Sequence, residues 1–496
     1  MSQRLFDPRR RQLLQRGLAG SSALLLPPWL AGCSNSTGGV LATPPPSPVP
    51  APVPVPTPIP AAKFAPRGEH LSWTADPRTT RTCTWFTDGT AAPDTSLIEY
   101  GPVTPGMSAE QIASAPFEAR MNAGTTPTPG VAAFTHKATA SGLDAALPMR
   151  YRVGSVDGYS AVRVVRPTPT GSAFRFCHFG DHGYNENSRT VARAMAARQP
   201  DFALLAGDIS YANGDQPLWD DYFATVTPDY AASNILMTAP GNHEEESNAG
   251  ATYRNRFACP ISAVSPDGTY YTFDLGRVHF VITTAGAFVA DGTLGVELAF
   301  LETDLAAAAA RRAAGMIDFI VVAQHFTIWT DQEGRGPAAY DLVALEENII
   351  LRYGVDLLAV GHDHIYQRSK PMAYGMENPL GYVQVTSGCG GKDIRGFEPT
   401  IQAWSAKHHA ELLFVEYLVE DGLMSATTYG VHPDTGALSV VDTFELRRRD
   451  TVAANLAVQP VRPLSVFGID IDQLARATQA KHKRLLRSHC LGLAHV

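Results

Sequence analysis

From His70 to Pro167 the chain reads as short apolar or β-branched runs separated by turn residues, among them His70–Trp73, Cys83–Phe86, Leu97–Tyr100 and Met149–Val153. Brief alternation with Gly, Pro and Asp between the runs predicts antiparallel strands packed as a β-sandwich. Past Pro167 the grammar changes. Strand-like runs at Phe174–Phe179, Phe202–Leu205, Ile235–Ala239, Ile317–Ala323 and Val355–Val360 now alternate with helical stretches at Ser188–Arg198, Val296–Ala314 and Leu342–Arg352. A hairpin broken at Gly276 spans Tyr270–Thr284, and the alanine-rich, proline-free stretch Val296–Ala314 carries the strongest helix signal. Alternation of this kind predicts a layered α/β domain that carries ligands on the loops at its strand ends.

Composition narrows the picture. With 496 residues, 45% of them hydrophobic, the chain exceeds one ordinary core, so two globular units plus extensions are expected. A formal net charge of -8 supplies no basic field for a phosphate backbone, and no stable nucleic-acid partner is expected. The six cysteines, Cys33, Cys83, Cys177, Cys259, Cys389 and Cys490, are far apart and form no C-x-x-C pair, which leaves their pairing open.

The N-terminus reads as an address. A cationic stretch around Arg9, Arg10 and Arg11 leads into an apolar run from Leu18 to Ala31 that Pro27 and Pro28 break, too short to span a bilayer. The arginines followed by Leu13–Leu14 resemble a twin-arginine signal, and Leu30-Ala31-Gly32-Cys33 resembles a lipobox, whose cysteine becomes the lipidated N-terminus. Between Pro44 and Pro60 nearly every second residue is proline, which predicts an extended stalk. At ~3.1 Å per residue it would reach roughly 50 Å. The expected organisation is a signal peptide over 1–33, a proline-rich linker over 34–66, a β-sandwich over 67–167, an α/β domain over 168–447 and an extension over 448–496. In that extension the basic stretch Lys481–Arg487 is a helix candidate, read as a solvated terminal helix or a dock for anionic lipid.

The chemistry lies on the α/β strand ends. Each strand closes in a polar knot: Gly180-Asp181-His182-Gly183, Gly207-Asp208-Ile209-Ser210-Tyr211, Gly241-Asn242-His243-Glu244, Val322-Ala323-Gln324-His325 and Gly361-His362-Asp363-His364. A lone Asp after a strand is usually a helix cap, and a lone His an ordinary surface or core residue. Knots opening from consecutive strand ends of one sheet converge, and their mixed oxygen and nitrogen donors suit a hard trivalent ion beside a borderline divalent one.

In this order Asp-x-Gly, Gly-Asp-x-x-Tyr, Gly-Asn-His-Glu, Val-x-x-His and Gly-His-x-His resemble the five-block signature of the purple acid phosphatases, within the calcineurin-like metallophosphoesterases. The match runs from about Phe174 to Gln384. The resemblance implies an α/β (α+β) metallophosphoesterase sandwich of mixed sheets flanked by helices. The stretch Ser141–Gly154 resembles an edge of a fibronectin type III-like domain, which is the expected identity of the preceding β-sandwich. The resemblance further implies that Asp181, Asp208, Tyr211 and His364 bind Fe(III), that Asp208 bridges, and that Asn242, His325 and His362 complete a second site for Fe(II), Zn(II) or Mn(II). Asp208 and His243 would be the catalytic pair, with His243 at the phosphate or the leaving group, or else supporting Asn242 or Asp208. A phosphomonoesterase is the implied activity. A phosphodiesterase or nucleotide hydrolase with other metals, and a surface-binding lipoprotein with a structural metal site, are the alternatives.

This chain also departs from the family pattern. No second histidine follows His325 before His362, so Trp329, Asp331, Glu333 and Arg335 are substitutes for it unless that loop is plain solvated surface. Gln367 stands where the family has an acid, and His182 reads as an exposed loop histidine. The glycines of Ser387–Gly391 read as allowing close backbone approach. The whole implies an exported, periplasmic or cell-surface lipoprotein, anchored to the membrane through Cys33, that takes phosphate-ester small molecules as substrates. Fractionated cells should therefore hold the mature protein with membranes, and Cys33→Ser should release it to the soluble fraction; a variant that still sediments with membranes would defeat the anchor.

Overall fold

The computed structural model describes residues 63–246, 249–285, 294–449, 465–466, 468–478 and 480. The expected signal peptide with Cys33, the proline run, the basic stretch Lys481–Arg487 and Cys490 lie outside the described residues. Among those described, Cys83, Cys177, Cys259 and Cys389 are all free thiols.

The first part of the unit is almost all strand: β1 (Arg67–Ser72), β2 (Arg81–Asp88), β3 (Leu97–Pro102), β4 (Ala119–Asn122), β5 (Gly124–Pro127), β6 (Ala133–Ala140), β7 (Met149–Ser155), β8 (Gly158–Tyr159) and β9 (Arg163–Val165), with a short helix α1 (Ala109–Ser114). Alternation follows: β10 (Phe174–Phe179), α2 (Glu186–Ala197), β11 (Phe202–Ala206), α3 (Gln216–Val226), β12 (Ile235–Ala239), α4 (Asn242–Glu245), α5 (Ala251–Arg256), the hairpin β13 (Tyr271–Leu275) and β14 (Val278–Ile282), α6 (Leu294–Ala313) and β15 (Phe319–Gln324). The chain continues through α7 (Tyr340–Leu342), α8 (Asn348–Arg352), β16 (Leu357–Val360), β17 (Tyr366–Ser369), β18 (Met372–Ala373), β19 (Met376–Glu377), β20 (Val383–Ser387), β21 (Ser405–His409), β22 (Leu413–Glu420), β23 (Leu423–Val431) and β24 (Leu438–Arg447).

Two large sheets organise these elements. One runs in the order β24-β23-β22-β10-β11-β12-β1-β2-β6-β5, the other β13-β14-β15-β16-β20-β17-β21. Within each sheet the strands that carry the polar knots, β10, β11 and β12 in the first and β15 and β16 in the second, pair in parallel, which sends their C-terminal ends to one edge of that sheet. Both β11 and β15 are buried at every position, which explains their unbroken apolar runs. The sheets face each other across an aromatic core in which Phe176 stacks on Tyr417 at 4.5 Å and meets Phe280 edge-on at 5.3 Å. Helices α2 and α3 cover the outer face of the first sheet, packing Val191, Met195 and Trp219 against Phe179 and Leu205. Helices α6 and α8 cover the second, with Leu301, Leu305 and Ile350 against Ile320 and Leu358. The architecture is the mixed α/β sandwich expected from the motifs.

Three outcomes differ from the pattern read along the chain. The knots open from two sheets and not from consecutive strand ends of one, because β15 and β16 pair with β14 and β20 and not with β12. Strand β1 pairs in parallel with β12 at Leu71 and Ile235, so strands on both sides of Pro167 share one sheet and one core. The helix expected over Leu342–Arg352 widens into a π-helical turn at Val343–Glu347. That turn aims buried Glu347 at the Trp329 indole N–H, 3.1 Å away, and at the Tyr382 hydroxyl, 3.0 Å away, fixing the loop after β15 from beneath.

In the hairpin, His279 lies between Asp274 and Asp304 at 2.6 and 2.7 Å. Burial favours the neutral ring, but the carboxylates on both nitrogens outweigh it and raise the His279 pKa to about 9. Because the folded value exceeds the unfolded one, this stabilisation is complete below about pH 6.5 and is lost as pH rises through about 9. Urea midpoints should fall across that window in the parent protein, and His279→Asn should flatten the fall; an equal slope in both would remove His279 as its source.

Candidate metal centre

The site is built where the knots of the two sheets meet. After β10, Asp181 takes a left-handed backbone with φ 55°, and after β11 both Asp208 at 49° and Tyr211 at 58° do the same; after β16, His362 has φ 67°. Such conformations cost about 1–3 kcal/mol each for residues with side chains and concentrate where function over-determines the backbone. Here they turn side chains off the strand ends and into one cleft.

Asp181 is fully buried, and its Oδ1 accepts the Tyr211 hydroxyl at 2.6 Å and lies 3.2 Å from His364 Nε2. Its Oδ2 accepts the His362 backbone N–H at 2.7 Å. Asp208 Oδ1 accepts the His243 backbone N–H at 3.0 Å, and its Oδ2 lies 3.1 Å from His325 Nε2. His325 Nε2 and His362 Nδ1 are 3.1 Å apart. Asp208, His325 and His362 thus present donor atoms that all fall within 4.8 Å of one another, a spacing able to hold one cation. Asn242 opens α4, and its buried Oδ1 has no hydrogen-bond partner among the described residues. A buried amide oxygen left unpaired costs about 1–3 kcal/mol, so it marks a position suited to a cation. A Cβ on Gly241 would stand 2.3 Å from Asp208 Oδ1, so the approach of the Asn242 loop to that carboxylate requires glycine.

The imidazoles are held from behind. His325 Nδ1 donates to the Ala206 carbonyl at 2.8 Å and His364 Nδ1 to the Asp393 carbonyl at 2.6 Å, which leaves both Nε2 atoms facing the cleft. Burial disfavours charge on both Asp208 and His325, but their mutual attraction prevails, lowering the Asp208 pKa and raising that of His325. Burial, followed by the charge of Asp181, raises the Tyr211 phenol. His243 stacks obliquely on Tyr211 at 4.5 Å, bonds Asn213 Oδ1 through Nδ1, and holds Nε2 3.7 Å from Asp208 Oδ2. All the residues proposed from the motifs therefore come together: Asp208, Tyr211, Asn242, His243, His362 and His364 line the cleft, and Asp181 and His325 form its floor.

Other expectations change. His182 is not an exposed loop histidine: it is buried, packed edge-on against Phe179 and Tyr222, and bonded to the Ser188 carbonyl at 2.9 Å, because the knot folds back over α2. The loop after His325 is not plain solvated surface either. Trp329 and Asp331 are buried, and Gln367 bonds Asp331 twice, through the Asp331 N–H at 3.0 Å and the Asp331 carboxylate at 2.6 Å. An acid at position 367 would face that carboxylate, so the amide fits its partner. Of the suggested substitutes for the missing histidine, Arg335 lines the cleft, with Nε 3.1 Å from Asp363 and a short contact to His362.

The calcineurin-like phosphoesterase family profile matches residues 174–366. The chain carries a calcineurin-like metallophosphoesterase domain homologous to the purple acid phosphatases. Purple acid phosphatase 23 of Arabidopsis thaliana is 28% identical over 257 residues, 45% of this chain and 54% of its own. Acid phosphatase type 7 of Homo sapiens is 29% identical over 384 residues, 70% of this chain and 83% of its own. The chain spans about half the length of the Arabidopsis relatives it matches. In fold it is similar to purple acid phosphatase PPD1 from yellow lupin (Lupinus luteus) seeds, with a TM-score of 0.65 at 20% identity over 82% of this chain and 79% of that one. It is also similar in fold to PhoD, with a TM-score of 0.57 at 12% identity over 86% of this chain and 99% of that one.

Asn213, Gln332, Lys392 and Arg395 also line the metallophosphoesterase cleft, and Glu244 lies buried behind it, none of them given a role from the sequence. Glu244 belongs to a quoted motif block, whereas Lys392 and Arg395 follow Gly391 with no motif of their own. Fully buried Glu244 joins two knots, accepting the Gly241 N–H at 2.8 Å and the Ile209 N–H at 3.0 Å. Burial, then the Asp208 charge, raises its pKa. Glu244→Ala should destabilise the domain by roughly 2–6 kcal/mol, two buried N–H groups at about 1–3 each, and reduce the metal recovered per chain. Glu244→Gln, which keeps one acceptor oxygen, should lose less in both urea titration and elemental analysis; equal losses for the two variants would refute the clamp.

Proposed function

We propose that this chain hydrolyses phosphate monoesters at a dinuclear centre of Fe(III) and a divalent ion, Fe(II), Zn(II) or Mn(II). The observation that carries the reading is the gathering of Asp181, Asp208, Tyr211, Asn242, His325, His362 and His364 around one cleft, with the buried Asn242 oxygen without a partner among the described residues. Homology to proteins named as acid phosphatases supports it. Asp181, Asp208, Tyr211 and His364 would hold Fe(III), and Asp208, Asn242, His325 and His362 the divalent ion. The bound pair supplies positive charge to the phosphoryl oxygens and acidifies a water to serve as nucleophile.

The chain's own residues set up the rest. Asp208 stands between the two halves of the donor set and joins them. The backs of His325 and His364 are tied to carbonyls, so each offers a lone pair without losing side-chain freedom on binding. His243, with Nδ1 on Asn213, presents Nε2 at the cleft, placed to bond a phosphoryl oxygen or exchange a proton with the leaving group. Export and the lipid anchor on Cys33 would place this activity outside the inner membrane.

Elemental analysis and an absorption spectrum of the exported protein test the reading, together with turnover of a chromogenic phosphomonoester against a diester. Iron with a visible band that Tyr211→Phe abolishes, and a kcat/KM for the monoester that Asp208→Asn lowers by at least about a thousandfold, are expected. Metallated protein without iron or the band would sink the Fe(III)–Tyr211 assignment, and metallated protein without turnover would sink the enzyme.

A further inference from the structure

The loop after His325 is a short hairpin that brings its tip to the cleft. The Ala339 N–H donates to the Ile328 carbonyl at 2.8 Å and the Thr330 N–H to the Pro337 carbonyl at 3.1 Å, which pairs its two arms. The tip carries Gln332, whose side-chain oxygen accepts the His364 N–H at 2.7 Å, and Arg335, with Nε 3.1 Å from Asp363. At the base of the first arm stands Trp329, fully buried and seated on the β18–β19 turn, where a Cβ on Gly375 would lie 2.7 Å from the indole ring.

A single carboxyl ties down that base. Glu347 Oε1 accepts the Trp329 indole N–H at 3.1 Å, the Tyr374 N–H at 2.9 Å and the Tyr382 hydroxyl at 3.0 Å, so it joins the hairpin to the β18–β19 turn and to the entry of β20. Its other oxygen, Oε2, is buried and has no hydrogen-bond partner among the described residues. The groups that face this carboxyl are those three donors and the adjacent acid Glu346, which accepts from Gln324 at 3.1 Å and lies in the field of Glu297 and Asp341; none of them is a cation. A negative charge on Glu347 would therefore be buried without a counter-ion and with one bare oxygen, a state that burial strongly disfavours. The other grips on the arms are amides that do not titrate: Gln384 accepts the Ile328 and Trp329 N–H groups at 3.1 Å each, and Gln367 holds Asp331.

We propose that Glu347 is a positioning residue that acts as a proton-operated latch: protonated, it keeps Trp329 seated and the hairpin closed on the cleft, and ionised, it releases Trp329 and loosens the hairpin. Burial raises its pKa from 4.5 to about 7 against the three donors, which lower it. Because the folded value exceeds the ordinary one, the closed hairpin is fully favoured below about pH 4.5, and that advantage is lost as pH rises through about 7. Gln332 and Arg335 are then held firmly at the cleft in acid and loosely in alkali, whatever the cleft binds.

The test needs no turnover. Hydrogen exchange read by mass spectrometry on the whole chain compares the backbone of residues 326–339 at about pH 5.5 and about pH 8, corrected for the intrinsic pH dependence of exchange. Protection should fall about tenfold or more in the parent, as linkage requires of a carboxyl whose pKa drops from about 7 to 4.5 when the hairpin opens. In Glu347→Gln, which keeps an acceptor for the three donors and cannot ionise, the fall should vanish. Trp329 emission, taken as the difference between the parent and Trp329→Phe, should titrate with a midpoint near 7, and Tyr382→Phe should move that midpoint to higher pH by removing a donor that favours the charged form. Equal protection at the two pH values in the parent, or a fall that survives in Glu347→Gln, overturns the latch. Should Glu347→Gln not fold, Tyr382→Phe decides, and an unmoved midpoint overturns it.

Discussion

The centre depends on how closely two strand-end loops from different sheets approach each other. A Cβ on Gly180, after β10, would lie 2.9 Å from the Gly361 Cα, and one on Gly361, after β16, would lie 2.5 Å from the Ala206 carbonyl oxygen. Only hydrogen fits between them. That contact lets His325 of the second sheet reach a carbonyl of the first, and lets Asp181 of the first accept an N–H from the second. With bulkier residues the two halves of the donor set would separate, and each would be an unremarkable cluster of an acid and a histidine.

Holding such groups together has a cost that the packing offsets. Each buried ion forfeits several kcal/mol of hydration, and the left-handed turns at Asp181, Asp208, Tyr211 and His362 add about 1–3 kcal/mol apiece. The aromatic layer from Phe176 through Phe202 and Phe280 to Tyr417 lies directly between the sheets and keeps their facing edges from relaxing apart. What the strain yields is preorganisation: side chains turned off the strand ends and fixed by partners before any ligand arrives.

Much of this was legible in the residues, because chemistry left marks at fixed spacing. Each knot announced itself as Gly plus Asp, Asn or His after an apolar run, and the runs of β11 and β15 were apolar throughout because both faces are covered. What was not legible had no local mark. The pairing of β1 with β12 uses backbone groups alone, so nothing in Leu71 or Ile235 announces the partner. The burial of His182 is decided by Ser188, Tyr222 and the path of α2, none of them readable from its own neighbours. The widened turn at Val343–Glu347 depends on Glu347 meeting Trp329 and Tyr382 from distant segments. Lys392 and Arg395 carry no motif, and only the stitching of their backbone to Asp181 and His364 sets them apart.

The shared sheet gives the N-terminal strands a part in holding the site although they supply none of its donors. Strand β1 extends the sheet beside β12, and Asn242 and His243 follow at the end of β12. From the same strands His70 bonds the Arg256 carbonyl at 2.9 Å, the Ser72 hydroxyl donates to the Ala258 carbonyl at 2.6 Å, Thr135 donates to Asn255 at 2.6 Å and Lys137 to the Arg254 carbonyl at 2.9 Å. These bonds grip α5 and its exit, so the chain that carries Asn242 and His243 is held on both sides, by a strand before it and a braced helix after it. A donor that must stay within a fraction of an ångström of its place needs such support. The donor set is drawn from one half of the unit, while part of the rigidity that holds it is drawn from the other.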